Sequence, residues 1–227
     1  MKTNTLRCLI AALLVATPLA ASAAVSAPNI QITEWMYSGS NGEYIELTNL
    51  GDGTVDFTGW SYDDESQDVG TFSLSGFGLV GAGQSVILTE STATDFISAW
   101  NLASNVKVIG GYTNNLGRND EINIYDAFGN LVDQLAYGDQ SFAGTIRTQD
   151  ASGNPIALGA LDSQDVTTSW VKASVGDLYG SYASTGGDIG NPGMFALAVP
   201  EPSRVAMLLA GLGLLGGIAR RRGIKGA

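Results

Sequence analysis

The side chains of this chain that could carry out chemistry are carboxylates, because the other usual groups are missing. None of the 227 residues is histidine, and the one cysteine is Cys8. Without histidine there is no Ser-His-Asp triad, and without further cysteines there is almost no means of building a zinc site. A hydrolase built on this chain would have to work with carboxylic acids alone, as many glycosidases do.

The carboxylates best placed for such a role are Glu34, Glu43 and Glu46, since they lie on neighbouring predicted strands. The strand pattern around them also predicts a structural role, in which they face solvent or pair with groups at a sheet edge. We expect the structural role and predict no catalytic residue and no enzyme. A carboxylate-only hydrolase is kept as the third of three functional hypotheses.

A short acidic segment from Tyr62 to Asp68 holds four carboxylates within six residues. Oxygen ligands of this kind suit calcium, but the spacing lacks the central glycine and the distal glutamate of an EF-hand loop. The simpler interpretation is a solvated turn between strands. We therefore predict no bound cofactor and no metal, and keep calcium as an alternative hypothesis. The candidate ligands are Asp63, Asp64, Glu65 and Asp68.

The charge of the chain changes sharply once its two ends are set aside. Between Ala24 and Val199 there are 21 acidic residues and four basic ones, a net charge of −17. A surface this acidic repels nucleic acid and anionic lipid headgroups. We predict that nucleic acid is not a partner.

The first 23 residues have the composition of a secretory signal peptide. Lys2 and Arg7 precede an apolar core, Cys8–Val15, and Ala21-Ser22-Ala23 supplies the small residues that signal peptidase accepts. Cleavage is expected after Ala23, with Ala21 and Ala23 as the recognised residues. The mature chain would then contain no cysteine and no disulfide.

The body between the two ends predicts one all-β domain. Its short apolar or alternating runs are separated by glycine, asparagine and aspartate, which favours a β-sandwich. The predicted strands are Ile30–Met36, Glu43–Asn49, Val55–Asp63, Thr71–Ser75, Ser85–Thr89, Val106–Ile109, Glu121–Asp126 and Leu131–Tyr137. The turn Phe128-Gly129-Asn130 joins the last two of these as a hairpin.

One short helix is predicted at Thr92–Asn101. Thr92 or Thr94 can cap its first turn, and an apolar stripe of Phe96, Ile97 and Trp100 would face the core.

Two features imitate ligand sites. Gly76–Gly81 and Gly211–Gly216 each spell G-x-G-x-x-G, but neither lies between a strand and a helix, as a dinucleotide site requires. Four tryptophans could stack on sugars, yet their apolar surroundings predict core packing. They are Trp35, Trp60, Trp100 and Trp170.

The motifs of the body resemble the lamin tail domain family. They are Ile30-x-Ile32-x-Glu34, Gly42–Asn49, Val55–Trp60, Leu79–Leu88 and Asn119–Asp133, followed by a closing Gly187–Gly193. The resemblance implies an immunoglobulin-like β-sandwich over residues 28–193, best supported over 28–137. The longer stretch 138–186 is less typical, and Trp170 and Tyr179 are expected to add strands there or to cover a sheet edge.

The end of the chain combines a rigid Pro-Glu-Pro element, an apolar run and an arginine cluster. These three parts in this order, over residues 199–227, resemble the PEP-CTERM sorting signal of Gram-negative bacteria. The apolar run Val205–Ala219 would form a helix of about 22 Å, shorter than a hydrocarbon core of about 30 Å. A temporary transmembrane anchor is therefore expected. The sorting and processing residues would be Pro200, Glu201, Pro202, Arg220, Arg221 and Arg222.

Together these features predict an exported, non-enzymatic surface or extracellular matrix protein. The resemblance implies exosortase and signal peptidase as partners during export, a transient stay in the inner membrane, and association with exopolysaccharide or biofilm. The final location would be the cell surface or the extracellular space. The alternative hypothesis is a polysaccharide- or calcium-binding module.

Overall fold

A computed structural model describes residues 29–138, 146–161 and 169–196 of the chain. The predicted signal peptide and the predicted sorting segment with its transmembrane helix lie outside these residues. Within the described part, no helix has the length and apolar character needed to cross a membrane.

Sheet 1 has six strands, and its centre is the pair formed by β1 and β2. Its strands are β1 (Ile30–Met36), β2 (Tyr44–Asn49), β7 (Ser85–Thr89), β8 (Lys107–Gly110), β11 (Gly153–Pro155) and β12 (Trp170–Lys172). Their order across the sheet is β12-β11-β1-β2-β7-β8. Neighbours are antiparallel except β7 and β8, which run parallel. A parallel pair needs a crossover, and the helix α1 (Ala93–Trp100) lies on that connection.

Sheet 2 has four strands and packs against one face of sheet 1. Its strands are β4 (Ser61–Asp63), β5 (Phe72–Ser73), β9 (Asn119–Tyr125) and β10 (Leu131–Gly138), in the order β10-β9-β4-β5. Two small pairs complete the described strands, β3 (Val55–Asp56) with β6 (Leu79–Val80), and β13 (Tyr182–Ala183) with β14 (Ile189–Gly190). Short 3₁₀ turns occur at Ser75–Phe77 and Leu158–Ala160.

The main core lies between the two sheets. Ile45 and Leu47 from β2 meet Ile122 and Ile124 from β9 in one apolar cluster. Trp35 is fully buried, with its ring centroid 5.0 Å from that of Trp170. The predicted all-β sandwich with one short α-helix is confirmed, as is core packing for all four tryptophans.

The outer face of sheet 1 is also covered, by α1 and by the C-terminal part of the chain. Tyr44 and Ile87 from the sheet pack with Phe96, Ala99 and Trp100 from the helix. The hydroxyl of Thr92 accepts a hydrogen bond from the Asp95 amide, which confirms one of the two predicted caps. The predicted stripe is partly wrong: Ile97 is only half-buried, and Ala99 takes its place in the core.

Most strand predictions agree with the structure, and β1 and β7 agree at both ends. The single strand predicted over Val55–Asp63 is wrong, because the chain turns between β3 and β4. Gly59 has φ +81°, and the Asp56 carboxylate accepts hydrogen bonds from the amide and hydroxyl of Thr58. Such an aspartate-closed turn ends one strand before the next begins.

A β-bulge in β1 changes which side chains face outward. The pairing with β2 slips between Ile32 and Glu34, so Thr33 is the extra residue. Ile32 and Trp35 can then both enter the inter-sheet core although they are three positions apart. Thr33 and Glu34 face away from this core, on the same side as Glu46.

Candidate functional site

The most unusual chemical feature is a pair of glutamates on the outer face of sheet 1. Glu34 on β1 and Glu46 on β2 are direct cross-strand partners, and both are fully buried. The expectation that they face solvent or a sheet edge is wrong, because β1 and β2 are the two central strands and their outer face is covered. The cover is the segment Gly187–Met194, here called the strap.

Glu46 uses both of its carboxylate oxygens. Oε1 accepts a hydrogen bond of 2.6 Å from the Thr33 hydroxyl. Oε2 accepts from two backbone amides of the strap, Gly193 at 2.7 Å and Met194 at 3.1 Å. Thr48 completes this group, since its hydroxyl lies 2.7 Å from that of Thr33. Glu46 therefore joins the sheet to the strap.

Glu34 binds the strap two residues before Gly193, at Asn191. Its Oε1 accepts hydrogen bonds from the Asn191 amide, at 2.9 Å, and from the Ser152 hydroxyl. A Cβ on Gly190 would lie 2.4 Å from the Tyr44 hydroxyl and 3.0 Å from Glu34 Oε1. Only glycine lets the strap backbone approach the carboxylate this closely.

A third carboxylate, Asp188, fixes the other end of the strap. Asp188 is buried and accepts hydrogen bonds from the amides of Ser40 and Asn41, both at 2.8 Å. Strap residues also pair as β14 with β13. Carboxylates of sheet 1 thus bind backbone amides of the strap, and a carboxylate of the strap binds backbone amides of the β1–β2 connection.

Burial sets the protonation of the Glu34–Glu46 pair. Removal from water raises the pKa of Glu34, and the nearby Glu46 carboxylate raises it further. Burial likewise raises the pKa of Glu46. Glu34 Oε2 and the Tyr44 hydroxyl are both buried and have no hydrogen-bond partner among the described residues. Two carboxylates that share one site cannot both ionise freely.

Glu43 does not join this pair. It is buried on the other side of β2, where its Oε1 accepts a 2.7 Å hydrogen bond from the Leu116 amide. Burial raises the pKa of Glu43 to about 8. Its burial also contradicts the expected solvent exposure. The three candidate carboxylates are therefore divided, with two on the outer face of sheet 1 and one beside the inter-sheet core.

The acidic segment uses its first carboxylate to close a turn. Asp63 is buried and accepts hydrogen bonds from the Asn114 side chain at 2.7 Å and the Ser66 hydroxyl at 2.8 Å. Glu65 and Asp68 are exposed. Across the described ranges, no three His, Cys, Asp or Glu side chains are grouped as metal ligands. Calcium binding at this turn stays a prediction, to be tested by melting the protein in calcium and in chelator.

The remaining predicted site residues fall outside the described ranges. These are Ala21, Ala23, Pro200, Glu201, Pro202, Arg220, Arg221 and Arg222, together with the G-x-G-x-x-G string at 211–216. The string at 76–81 leads from a 3₁₀ turn into β6. Its glycines therefore serve a turn, and no helix follows them there.

Sequence reasoning missed the residues that complete the carboxylate pair. Thr33 and Glu34 share the outer face only because of the β-bulge, and Ser152 and the strap arrive from more than 100 residues away. One signal could have shown the bulge. Ile30 and Ile32 share one alternation phase, whereas Trp35 and Tyr37 follow the opposite phase.

Fold and site together define a β-sandwich protein whose central carboxylates bind its own C-terminal strap. The lamin tail domain model matches residues 23–139, just over half of the chain, so the chain belongs to the lamin tail domain family. The PEP-CTERM protein-sorting motif matches residues 198–222. Both predicted resemblances are confirmed, and both families are non-catalytic in kind. The sorting motif marks an exosortase-targeted extracellular protein, exported to the cell surface in Gram-negative bacteria. No curated protein matches the chain.

Proposed function

We propose that this chain is a non-enzymatic component of the cell surface or extracellular matrix, associated with exopolysaccharide or biofilm. The observation that carries the non-enzymatic part of the proposal is that the buried cross-strand carboxylates Glu34 and Glu46 serve as structural anchors. Both oxygens of Glu46 and one of Glu34 accept hydrogen bonds from the protein itself, and neither residue is exposed. A hydrolytic pair needs access to substrate and water, which this arrangement does not offer.

The proposed export has two stages. Signal peptidase cuts after Ala23, while Val205–Ala219 stops in the inner membrane with Arg220–Arg222 on the cytoplasmic side. Exosortase then processes the chain near Pro200-Glu201-Pro202 and frees the body for its final location. The short, glycine-containing apolar run supports a temporary anchor over a permanent one.

The processing stage is tested in a Gram-negative host that carries an exosortase. Replacing Glu201 and Arg220–Arg222 by alanine should retain the larger precursor in the membrane fraction, as measured by immunoblotting. Asp52→Ala, at an exposed residue of the body, is the matched control and should be processed normally. If the substituted tail still yielded the mature size and location, the proposed processing would be wrong.

The surface role is tested on the exported body. All four tryptophans are at most 5% exposed, so none can serve as a sugar-stacking platform. The proposed association must therefore use other surface groups, and we expect the body to sediment with exopolysaccharide from the producing cells but to show no hydrolysis of it. Release of reducing sugar by the wild-type protein, lost in Glu34→Gln or Glu46→Gln, would contradict the non-enzymatic role.

A further inference from the structure

We propose that the strap orients the body on the membrane before processing. In this orientation, an exposed apolar surface formed by Val175, Leu178 and Met194, here called the exit surface, contacts the lipid that holds the sorting tail. The inference rests on the proposed membrane stage and adds a partner, the zwitterionic lipid interface, and the residues that meet it.

The first step is that residues Gly193–Ala196, here called the root of the tail, are fixed to the body. The amides of Gly193 and Met194 bind Glu46, and the carbonyl of Met194 accepts a 2.8 Å hydrogen bond from the Asn191 side chain. Phe195 is half-buried against the main core. The chain therefore remains attached to the body up to Ala196, where the described residues end.

The second step is that exposed apolar side chains lie on Met194 and on the loop next to it. Val175 is 65% exposed, Leu178 68% and Met194 54%. Val175 and Leu178 belong to a compact loop, because the Asp177 carboxylate accepts hydrogen bonds from amides within it. A Cβ on Gly180 of this loop would lie 3.5 Å from the Met194 methyl group. The loop and the root of the tail are thus in contact.

The third step is the length of the connection. Nine Cα–Cα steps lead from Ala196 to Val205, and nine extended residues span at most about 32 Å. A body of about 170 residues has a radius of about 20 Å. If the chain left the body on the side opposite the membrane, it would need about 60 Å to pass round the body and reach the lipid. The connection is too short for that path, so the half of the body that carries the exit surface must face the membrane.

The fourth step is charge. Between Ser169 and Ala196 the only charged residues are Lys172, Asp177 and Asp188. Asp188 is buried and accepts hydrogen bonds from the Ser40 and Asn41 amides, and Asp177 is turned toward the amides of its own loop. The segment that carries the exit surface therefore contributes little to the strongly negative charge of the body, and its apolar side chains can approach lipid.

The test uses residues 24–227, which contain no cysteine, reconstituted in phosphatidylcholine vesicles with a doxyl-labelled lipid as quencher. A bimane fluorophore is placed on Leu178→Cys, and on Phe128→Cys as the matched control. Phe128 is 90% exposed but lies on the β9–β10 hairpin of sheet 2. We expect at least twofold stronger quenching at position 178 than at 128, and the same result for Val175→Cys.

A second variant separates orientation from simple binding. Inserting 20 Gly/Ser residues after Ala196 keeps the body and tail but removes the length restriction. Quenching at 178 should fall toward that at 128, while vesicle binding is unchanged. Equal quenching at 178 and 128 in the bound, uninserted protein would overturn the inference alone. Failure of the protein to bind vesicles would overturn the membrane stage as well.

Discussion

The two faces of sheet 1 are both buried, but they are closed in different ways. The inner face packs on sheet 2 through apolar side chains such as Trp35, Ile45 and Leu47. The outer face carries Glu34 and Glu46, which bind the strap through hydrogen bonds to backbone amides. The same two strands therefore supply an apolar core on one side and, on the other, a directional polar contact beside the apolar cluster formed with α1.

This difference indicates that the two faces of sheet 1 have different structural roles. Apolar burial is proportional to area and does not depend on direction, so the inner face supplies most of the free energy of folding. Buried carboxylates contribute little net stability, yet they fix the position of the groups that bind them. The inner face holds the sandwich together, and the outer face determines where the tail leaves it.

The largest loss of stability is expected from a substitution on the inner face of sheet 1. Trp35→Ala removes a fully buried side chain that contacts Tyr137 and Trp170. We expect the free energy of unfolding to fall by about 3–5 kcal/mol, measured by urea denaturation of residues 24–199. Leu79→Ala, at a 61% exposed residue, is the control and should change it by less than about 0.5 kcal/mol. Equal losses for the two variants would contradict the inner-face account.

Removing Glu46, which binds the strap on the outer face, should lower the free energy of unfolding by less than Trp35→Ala does. Glu46→Ala leaves the Gly193 and Met194 amides without an acceptor, and we expect a loss of about 2–3 kcal/mol in the same assay. Glu46→Gln is the matched variant. Its side-chain oxygen can still accept from the strap while its amide donates to Thr33, so less than half of the loss should remain. A loss for glutamine as large as that for alanine would show that charge, and not hydrogen bonding, holds the strap.

The buried glutamates on both faces predict that stability falls as pH rises. A glutamate whose pKa is raised in the native state keeps its proton there while the unfolded chain ionises, so the loss begins near the unfolded pKa. For Glu43 it is complete above the native pKa of about 8. We expect unfolding at pH 5 to cost about 2 kcal/mol more than at pH 8. Glu43→Gln should flatten this dependence, and a stability that increased over this range would contradict the assigned shifts.

The smallest loss of stability is expected when a single methyl group is added to the strap. Gly190→Ala places a Cβ against the Tyr44 hydroxyl and Glu34 Oε1, and we expect a loss of about 1–2 kcal/mol. Gly53→Ala is the control, because a Cβ there would meet nothing within 4 Å. Thermal unfolding of both variants gives the comparison, and an unchanged melting temperature for Gly190→Ala would mean that the strap is not closely packed.

The comparison of the two faces also explains what the sequence could and could not predict. Alternation located β2, since Tyr44, Glu46 and Thr48 interleave with Ile45 and Leu47. A polar residue in such a pattern normally faces water. Here the outer face is covered by segments distant in sequence, which alternation cannot reveal.

The candidate site was predicted only in its residue types. Glu34 and Glu46 were recognised as neighbours, but their shared burial depends on the bulge at Thr33 and on a strap more than 140 residues away. A bulge shifts the alternation by one residue, and long-range contacts leave no periodic signal. The division of Val55–Asp63 was missed for a related reason, since one turn at Gly59 reassigns the two halves to different sheets.

Amide hydrogen exchange at the strap tests the central claim most directly. The account predicts that the amides of Asn191, Gly193 and Met194 are protected in residues 24–199 and lose protection in Glu46→Ala, while those of Ile122 and Ile124 in sheet 2 stay protected. Rapid exchange of the three strap amides in the unaltered protein would contradict the claim that the buried carboxylates hold the strap.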